Sequence, residues 1–136
     1  MYQGLFASTT VPILEQVVDF AQARHEVLAG NLANMDTPGY RTRDLAVDDF
    51  QAHLQAAIKA RHEPVGRSPG DLIGQDGSGL ANAAKDPKTI LHHDQSNVGM
   101  EYQVTEMAKN QLLHNVAMAI MASQFRLLGA AISERA

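Results

Sequence analysis

The 136-residue sequence has no cysteine and no tryptophan, and aromatic residues make up only 5% of it. Without cysteine, neither disulfides nor thiolate chemistry can contribute. A compact core of this length usually includes several large rings. The apolar content here, 45% and mostly Ala, Leu, Val and Met, suits helix seams better than a globule. No excess of basic residues exists either. The formal charge is −4, with 11 Lys and Arg interspersed among 15 Asp and Glu, which argues against a nucleic-acid or anionic-membrane surface. The longest apolar run, Val116 to Ala122, has seven residues, against the ~20 expected of a bilayer span. No membrane insertion by a helix of this chain is therefore expected. Met1 to Glu15 lacks the basic start and long apolar run of a cleaved signal peptide.

What is present is helical periodicity at both ends. Leu14, Val18, Ala21, His25, Leu28, Leu32 and Met35 recur at alternating steps of four and three, a heptad seam. Ser8, Thr9 or Thr10 can cap this helix, Pro12 is tolerated in its first turn, and Glu15 suits the positive end of its dipole. The spacing predicts an N-terminal helix over 11–35, about 35 Å long, with Gln16, Asp19, Gln22 and Glu26 on its polar face. Thr37-Pro38-Gly39-Tyr40 then specifies a turn. Pro at the second position presets φ, and Gly at the third supplies the positive φ of a type II turn. The turn region is 36–41.

The middle segment, 42–99, is less regular. Residues 41–47 read as extended loop. A short helix capped by Asp48 or Asp49 carries Phe50, Leu54, Ala57 and Ile58 on one face and ends near Glu63, because Pro64 disfavours the α region before it. From Glu63 to Gly99 the chain holds six of its ten Gly and three of its five Pro. This reads as an irregular loop with room for a short strand pair.

The helical pattern resumes over 100–133, with Asn97 as cap and Glu101 in the first turn. Its apolar stripe, Val104, Met107, Ala108, Leu112 and Leu113, widens until Val116 to Ala122 is apolar on every side. A helix apolar all round is buried all round. One N-terminal helix and one short middle helix cannot surround it, so part of its burial is expected from other chains. Four of the six Met lie on this helix and suit packing against non-equivalent neighbours, though core filling explains any single one.

Candidate chemistry is sparse. His92-His93-Asp94 is the one cluster suggestive of a metal or of acid-base work, but adjacent strand residues point to opposite faces and no ligand spacing accompanies it. There is no P-loop, nucleophile elbow or placed carboxylate pair. No metal, cofactor or catalytic residue is expected.

The string Leu28-Ala29-Gly30-Asn31-Leu32-Ala33-Asn34-Met35-Asp36-Thr37-Pro38-Gly39-Tyr40-Arg41 resembles the signature of bacterial flagellar rod and hook axial proteins. In them Asn-Leu-Ala-Asn-x-x-Thr-Pro-Gly-Tyr sits where an N-terminal helix gives way to the rest of the subunit. Arg41-Thr42-Arg43-Asp44-Leu45 narrows the likeness toward the proximal-rod branch. So do Asn97 to Leu112, with one residue fewer between Asn97 and Val98 than that pattern has, and Gln124-Phe125-Arg126-Leu127-Leu128 with Ala131-Ile132.

The resemblance implies a non-enzymatic, mainly α subunit whose two terminal helices form a coiled-coil-like axial core. It further implies a helical rod crossing the periplasm in the flagellar basal body, and export through the flagellar type III apparatus without a cleaved signal. Its partners would be other rod subunits and the adapter between membrane ring, export gate and rod. The residues expected to carry this are the motif and turn, Asn31, Leu32, Ala33, Asn34, Thr37, Pro38, Gly39, Tyr40 and Arg41. With them goes an assembly seam of Leu14, Val18, Leu28, Leu32, Leu113, Val116, Ile120 and Leu127. Such a subunit would leave its terminal helices partly disordered as a free monomer and order them on assembly.

Several readings stay open at this level. Asn31 and Asn34 can fix helix register by hydrogen bonding, or Asn34 can simply end the helix while Asn31 is solvated. Asp36, Arg41, Arg43 and Asp44 can bridge subunits or sit solvated at an exposed turn. His25 can titrate on assembly or merely pack. The rival functions are a soluble helical adaptor or export chaperone of a type III apparatus and, more remotely, a small His-dependent hydrolase.

Overall fold

The computed structural model describes residues 9–62, 82, 85, 87–89 and 99–133. Within these, two long helices, α1 (Val11–Ala33) and α3 (Met100–Ser133), lie against one another, with a shorter α2 (Val47–His62) beside them. Two-residue strands β1 (Arg43–Asp44) and β2 (Lys88–Thr89) pair antiparallel, Arg43 opposite Thr89 and Asp44 opposite Lys88. The fold is mainly α, as its periodicity implies. Ser8, Asn97 and the His92-His93-Asp94 cluster lie outside the described residues.

Helix α1 starts at Thr10, whose side chain makes no capping bond, with Pro12 in the first turn. The Oγ1 of Thr9 instead accepts from the Val11 N–H at 3.4 Å. Glu15 falls beyond the first turn, which holds no acidic residue, so its expected pairing with the helix dipole is not made. The helix ends at Ala33, and the Asn34 N–H closes on the Gly30 carbonyl at 3.1 Å. Likewise α2 begins at Val47, at least two residues earlier than a cap at Asp48 or Asp49 would place it. Asp48 and Asp49 therefore occupy its first turn rather than its cap, where they still face the positive dipole end.

The core is small. Val17, Phe20, Leu45, Phe50 and Ala117 form its buried centre, and Leu14, Val18, Val27 and Leu54 pack around it half-buried. The rings of Phe20 and Phe50 stack with centroids 3.9 Å apart and planes 10° from parallel, fastening α2 to α1. Beyond Leu54 the helix loosens. Ile58, expected on the same apolar face, is exposed.

Pairing of Asn31 with Gln103 and of Ala21 with Asn110 makes α1 and α3 antiparallel. At 23 and 34 residues, they are about 35 and 51 Å long, so the surplus of α3 runs out past the start of α1. There Leu127 and Ile132 are exposed. In the belt Val116 to Ala122 only Ala117 is buried, and Met121 is half-buried. By length and composition α3 is also apolar enough to cross a membrane. This corrects the inference from run length: isolated polar residues break an uninterrupted run without much lowering the average over a window.

Candidate functional site: the polar seam and the turn

Both long helices present heptad steps to each other, yet along residues that hydrophobicity alone would pass over. On α1 the buried line is Val17, Ala21, Arg24, Leu28 and Asn31, with Leu14 half-buried at its start. The apolar periodicity picks out Leu14, Ala21 and Leu28 as well, but at alternate steps it points to Val18, His25 and Leu32, one residue further on. These three are half-buried. On α3 the buried residues are Gln103, Asn110 and Ala117, with His114, Met121 and Leu128 half-buried on the same face. The stripe Leu113, Val116, Ile120 and Leu127 sits one residue round the helix, 43, 48, 43 and 62% exposed.

Two polar residues of the seam, Arg24 and Asn31, each hold several specific partners. Arg24, 7% exposed, meets Asp44 in a two-pronged pair, Nε to Oδ1 at 2.8 Å and Nη2 to Oδ2 at 2.6 Å. Its Nη2 also donates to Glu106 Oε2 at 2.7 Å, while Lys109 holds the other oxygen of Glu106 at 2.7 Å. The four charges cancel. Burial alone pulls the Arg24 guanidinium pKa down, but hydrogen bonds to Asp44 and Glu106 and their charges outweigh it, so the group is held above its ordinary value. The hydrogen bond from Lys109, opposed by burial and aided by Arg24, lowers Glu106 below the usual carboxylate range.

Asn31 is the second hub and is fully buried. Its Nδ2 donates to the Arg43 carbonyl and, at 3.1 Å, to Gln103 Oε1. Its Oδ1 accepts from the Tyr40 hydroxyl and the Arg43 N–H, each at 3.0 Å. Two donors and two lone pairs are the whole capacity of an amide side chain, and all four are used. One residue thus ties together α1, the turn, β1 and α3. Beyond the Arg24 hub, on the side away from Asn31, Asn110 Nδ2 donates to the Ala21 carbonyl at 2.7 Å. Its Oδ1, with the Nδ1 atoms of His25 and His114, is buried without a partner among the described residues.

The turn obeys its sequence. Tyr40 N–H returns to the Thr37 carbonyl at 3.1 Å and Gly39 has φ +78°, as a type II turn requires of its third residue. A preceding turn, Thr37 N–H to the Asn34 carbonyl at 3.0 Å, links it to the helix, and Asn34 Nδ2 caps the Gly30 carbonyl at 2.8 Å. Asn34 therefore ends the helix, whereas Asn31 joins elements within the chain. Ala33, Asn34, Thr37, Pro38, Gly39 and Arg41 are exposed, while Tyr40 is half-buried. Asp44 is committed to Arg24, and Asp36, Arg41 and Arg43 face solvent.

Arg24 was invisible to the hydrophobic pattern because a charged residue scores against a seam position. Its signal is the alternative heptad reading, 14-17-21-24-28-31, in which the polar occupants recur at one face. Among the described residues no group of three metal-ligating side chains converges. The two shallow hollows beside the strand pair, lined on one side by Tyr40, Arg43 and Lys85 and on the other by Asp44, Asp49 and Lys88, are open to solvent.

Comparison with known proteins falls on the same region. The family model for flagella basal body rod protein matches residues 21–41, the stretch that holds Arg24, Asn31 and the turn. The chain is 28% identical to the flagellar basal body rod protein FlgB of Aquifex aeolicus, over 93% of this chain and 94% of the relative. It is 27% identical to FlgB of Bacillus subtilis, over 89 and 91%, and 26% identical to FlgB of Salmonella typhimurium, over 82 and 84%. The matched signature region, and relatives from distant bacteria aligned over most of their length, make this chain similar to flagellar basal body rod proteins.

Proposed function

We propose that the chain is a structural, non-enzymatic subunit of the flagellar basal-body rod that assembles through an apolar stripe on α3. The match to the family model and the likeness to FlgB relatives support the function of rod subunit. The observation that carries the assembly mode is the exposure of Leu113, Val116, Ile120 and Leu127 at heptad-like spacing along a helix already engaged on its neighbouring face. Uncovered, such a stripe would forfeit roughly 25 cal/mol per Å² of apolar area and invite nonspecific association. Covered by helices of adjacent subunits it becomes a knobs-into-holes seam. On α1, Leu14, Val18 and Leu32 remain partly open to the same use, while Leu28 is spent inside the chain.

The finer picture has other rod subunits and the membrane-ring and export-gate adapter as neighbours, in a rod that crosses the periplasm. The subunit would reach it through the type III route without a cleaved signal. The terminal helices partner each other in cis here, and assembly would add partners on their outer faces rather than supply all of them. Membrane insertion of α3 is disfavoured because its first turns bind Arg24 and Asn31 through Glu106 and Gln103. The test is Ile120→Glu, followed by sedimentation and rod assembly. Loss of assembly with unchanged monomer helicity supports the reading. Normal assembly would remove the stripe from it, and vesicle insertion of the wild-type chain would favour a membrane role.

A further inference from the structure

Helix α3 offers α1 two faces, and the one that is buried is the less hydrophobic. A rotation of one residue, about 100°, would replace His114 by Leu113, Ala117 by Val116, Met121 by Ile120 and Leu128 by Leu127 in the seam. Every one of these exchanges keeps or adds apolar character. The chain nevertheless buries Gln103, Asn110 and Ala117 and leaves the large aliphatic residues exposed. Burial of apolar area therefore does not choose the face.

The polar contacts do. In the rotated packing Thr105 would take the place of Glu106, and Lys109 that of Asn110. Arg24 would lose one of its two carboxylates and face a like charge. Asn31 would meet Tyr102 in place of Gln103 and exchange an amide carbonyl acceptor for an aromatic ring whose hydroxyl lies at its far end. Each loss falls on a buried group, where an unpaired donor or charge is most costly.

We propose that Arg24 and Asn31 are face-selecting residues: by demanding Glu106 and Gln103, they orient α3 so that its apolar stripe stays outside the intrachain hairpin. The hairpin would otherwise consume the surface a second copy uses, a consequence that rests on the assembly reading above. Polar seam residues can fix register at a cost in stability. Here they fix rotation.

The absence of cysteine lets two reporter pairs test this in the full-length chain at high dilution. Val17→Cys with Ala117→Cys reports the observed face, since Val17 and Ala117 share the core. Val17→Cys with Val116→Cys reports the rotated one. A short thiol-reactive cross-linker should close the first pair at least about tenfold faster, the rate ratio being a measure of the population difference. Replacing the charged key by neutral residues of similar size, Arg24→Met with Asp44→Asn and Glu106→Gln, should bring the ratio down to about threefold or less and weaken self-association. A helical variant with an unchanged ratio overturns the proposal. Should that variant lose its helical circular dichroism, Asn31→Leu with Gln103→Leu replaces the uncharged key and must shift the ratio in the same direction, an unchanged ratio again refuting it. A shifted ratio with unaltered self-association supports face selection and overturns the role of the stripe in assembly.

Discussion

Replacing Arg24 by Met tests the seam most directly, because it removes a buried charge while keeping most of the side chain's volume. In the native chain Arg24 neutralises two carboxylates, Asp44 through two bonds and Glu106 through one. Glu106 retains Lys109. Asp44, 8% exposed at its side chain, retains the Leu45 N–H at 2.7 Å but no cation among its described contacts. Leaving one partner of a buried pair uncompensated costs about 3–5 kcal/mol, and the help from Lys109 places the expected loss at the lower end, ~3 kcal/mol. That is a large part of the 5–15 kcal/mol typical of a domain. Urea unfolding followed by circular dichroism should show a midpoint lower by roughly 1–3 M, for slopes of 1–3 kcal/mol/M.

Two controls sharpen the result. With Asp44→Asn and Glu106→Gln added, the orphaned charges vanish and much of the stability should return, since neutral replacements for a buried ion network are often tolerated. The deficit of Arg24→Met alone should also shrink in acid, as the Glu106 carboxylate that Arg24 helps to hold ionised takes up its proton. A loss under about 0.5 kcal/mol at neutral pH, the size of an ordinary surface substitution, would refute the reasoning.

For the turn, Gly39→Ala places a Cβ in open space but keeps φ at +78°, so it should cost about 1–2 kcal/mol from left-handed backbone alone. In cells it should weaken rod formation while leaving export intact, and normal rods would count against a turn that sets the subunit's geometry. Tyr40→Phe deletes one of the two bonds accepted by Asn31 Oδ1 and should cost about 1 kcal/mol in the same unfolding assay. For pH, the folded-state pKa of Glu106 lies below its ordinary value of 4.5. Its contribution is therefore fully present above 4.5 and is lost as pH falls through the lowered value. A pH series should show this acid sensitivity flattened by Glu106→Gln.

Much of the architecture is legible in the sequence because it depends on local rules. Pro38 and Gly39 encode the turn through their own φ preferences, and Pro12 marks the start of α1. The heptad steps of α1 and the apolar length of α3 announce two long helices. Phe50 and Leu54 place the short helix correctly, since they need only one partner surface.

What the sequence by itself determined is thus the helices and the turn, each carried by near neighbours in the chain. Which faces meet was decided only in three dimensions. The apolar pattern points to Val18, His25 and Leu32 on one helix and to Leu113, Val116 and Ile120 on the other, one residue round from the faces that are buried. Arg24 and Asn31 override that pattern because their partners, Asp44, Glu106, Arg43 and Gln103, lie 12 to 82 residues away. A buried charge or amide is tolerable only where such partners converge, and no local periodicity reports that convergence.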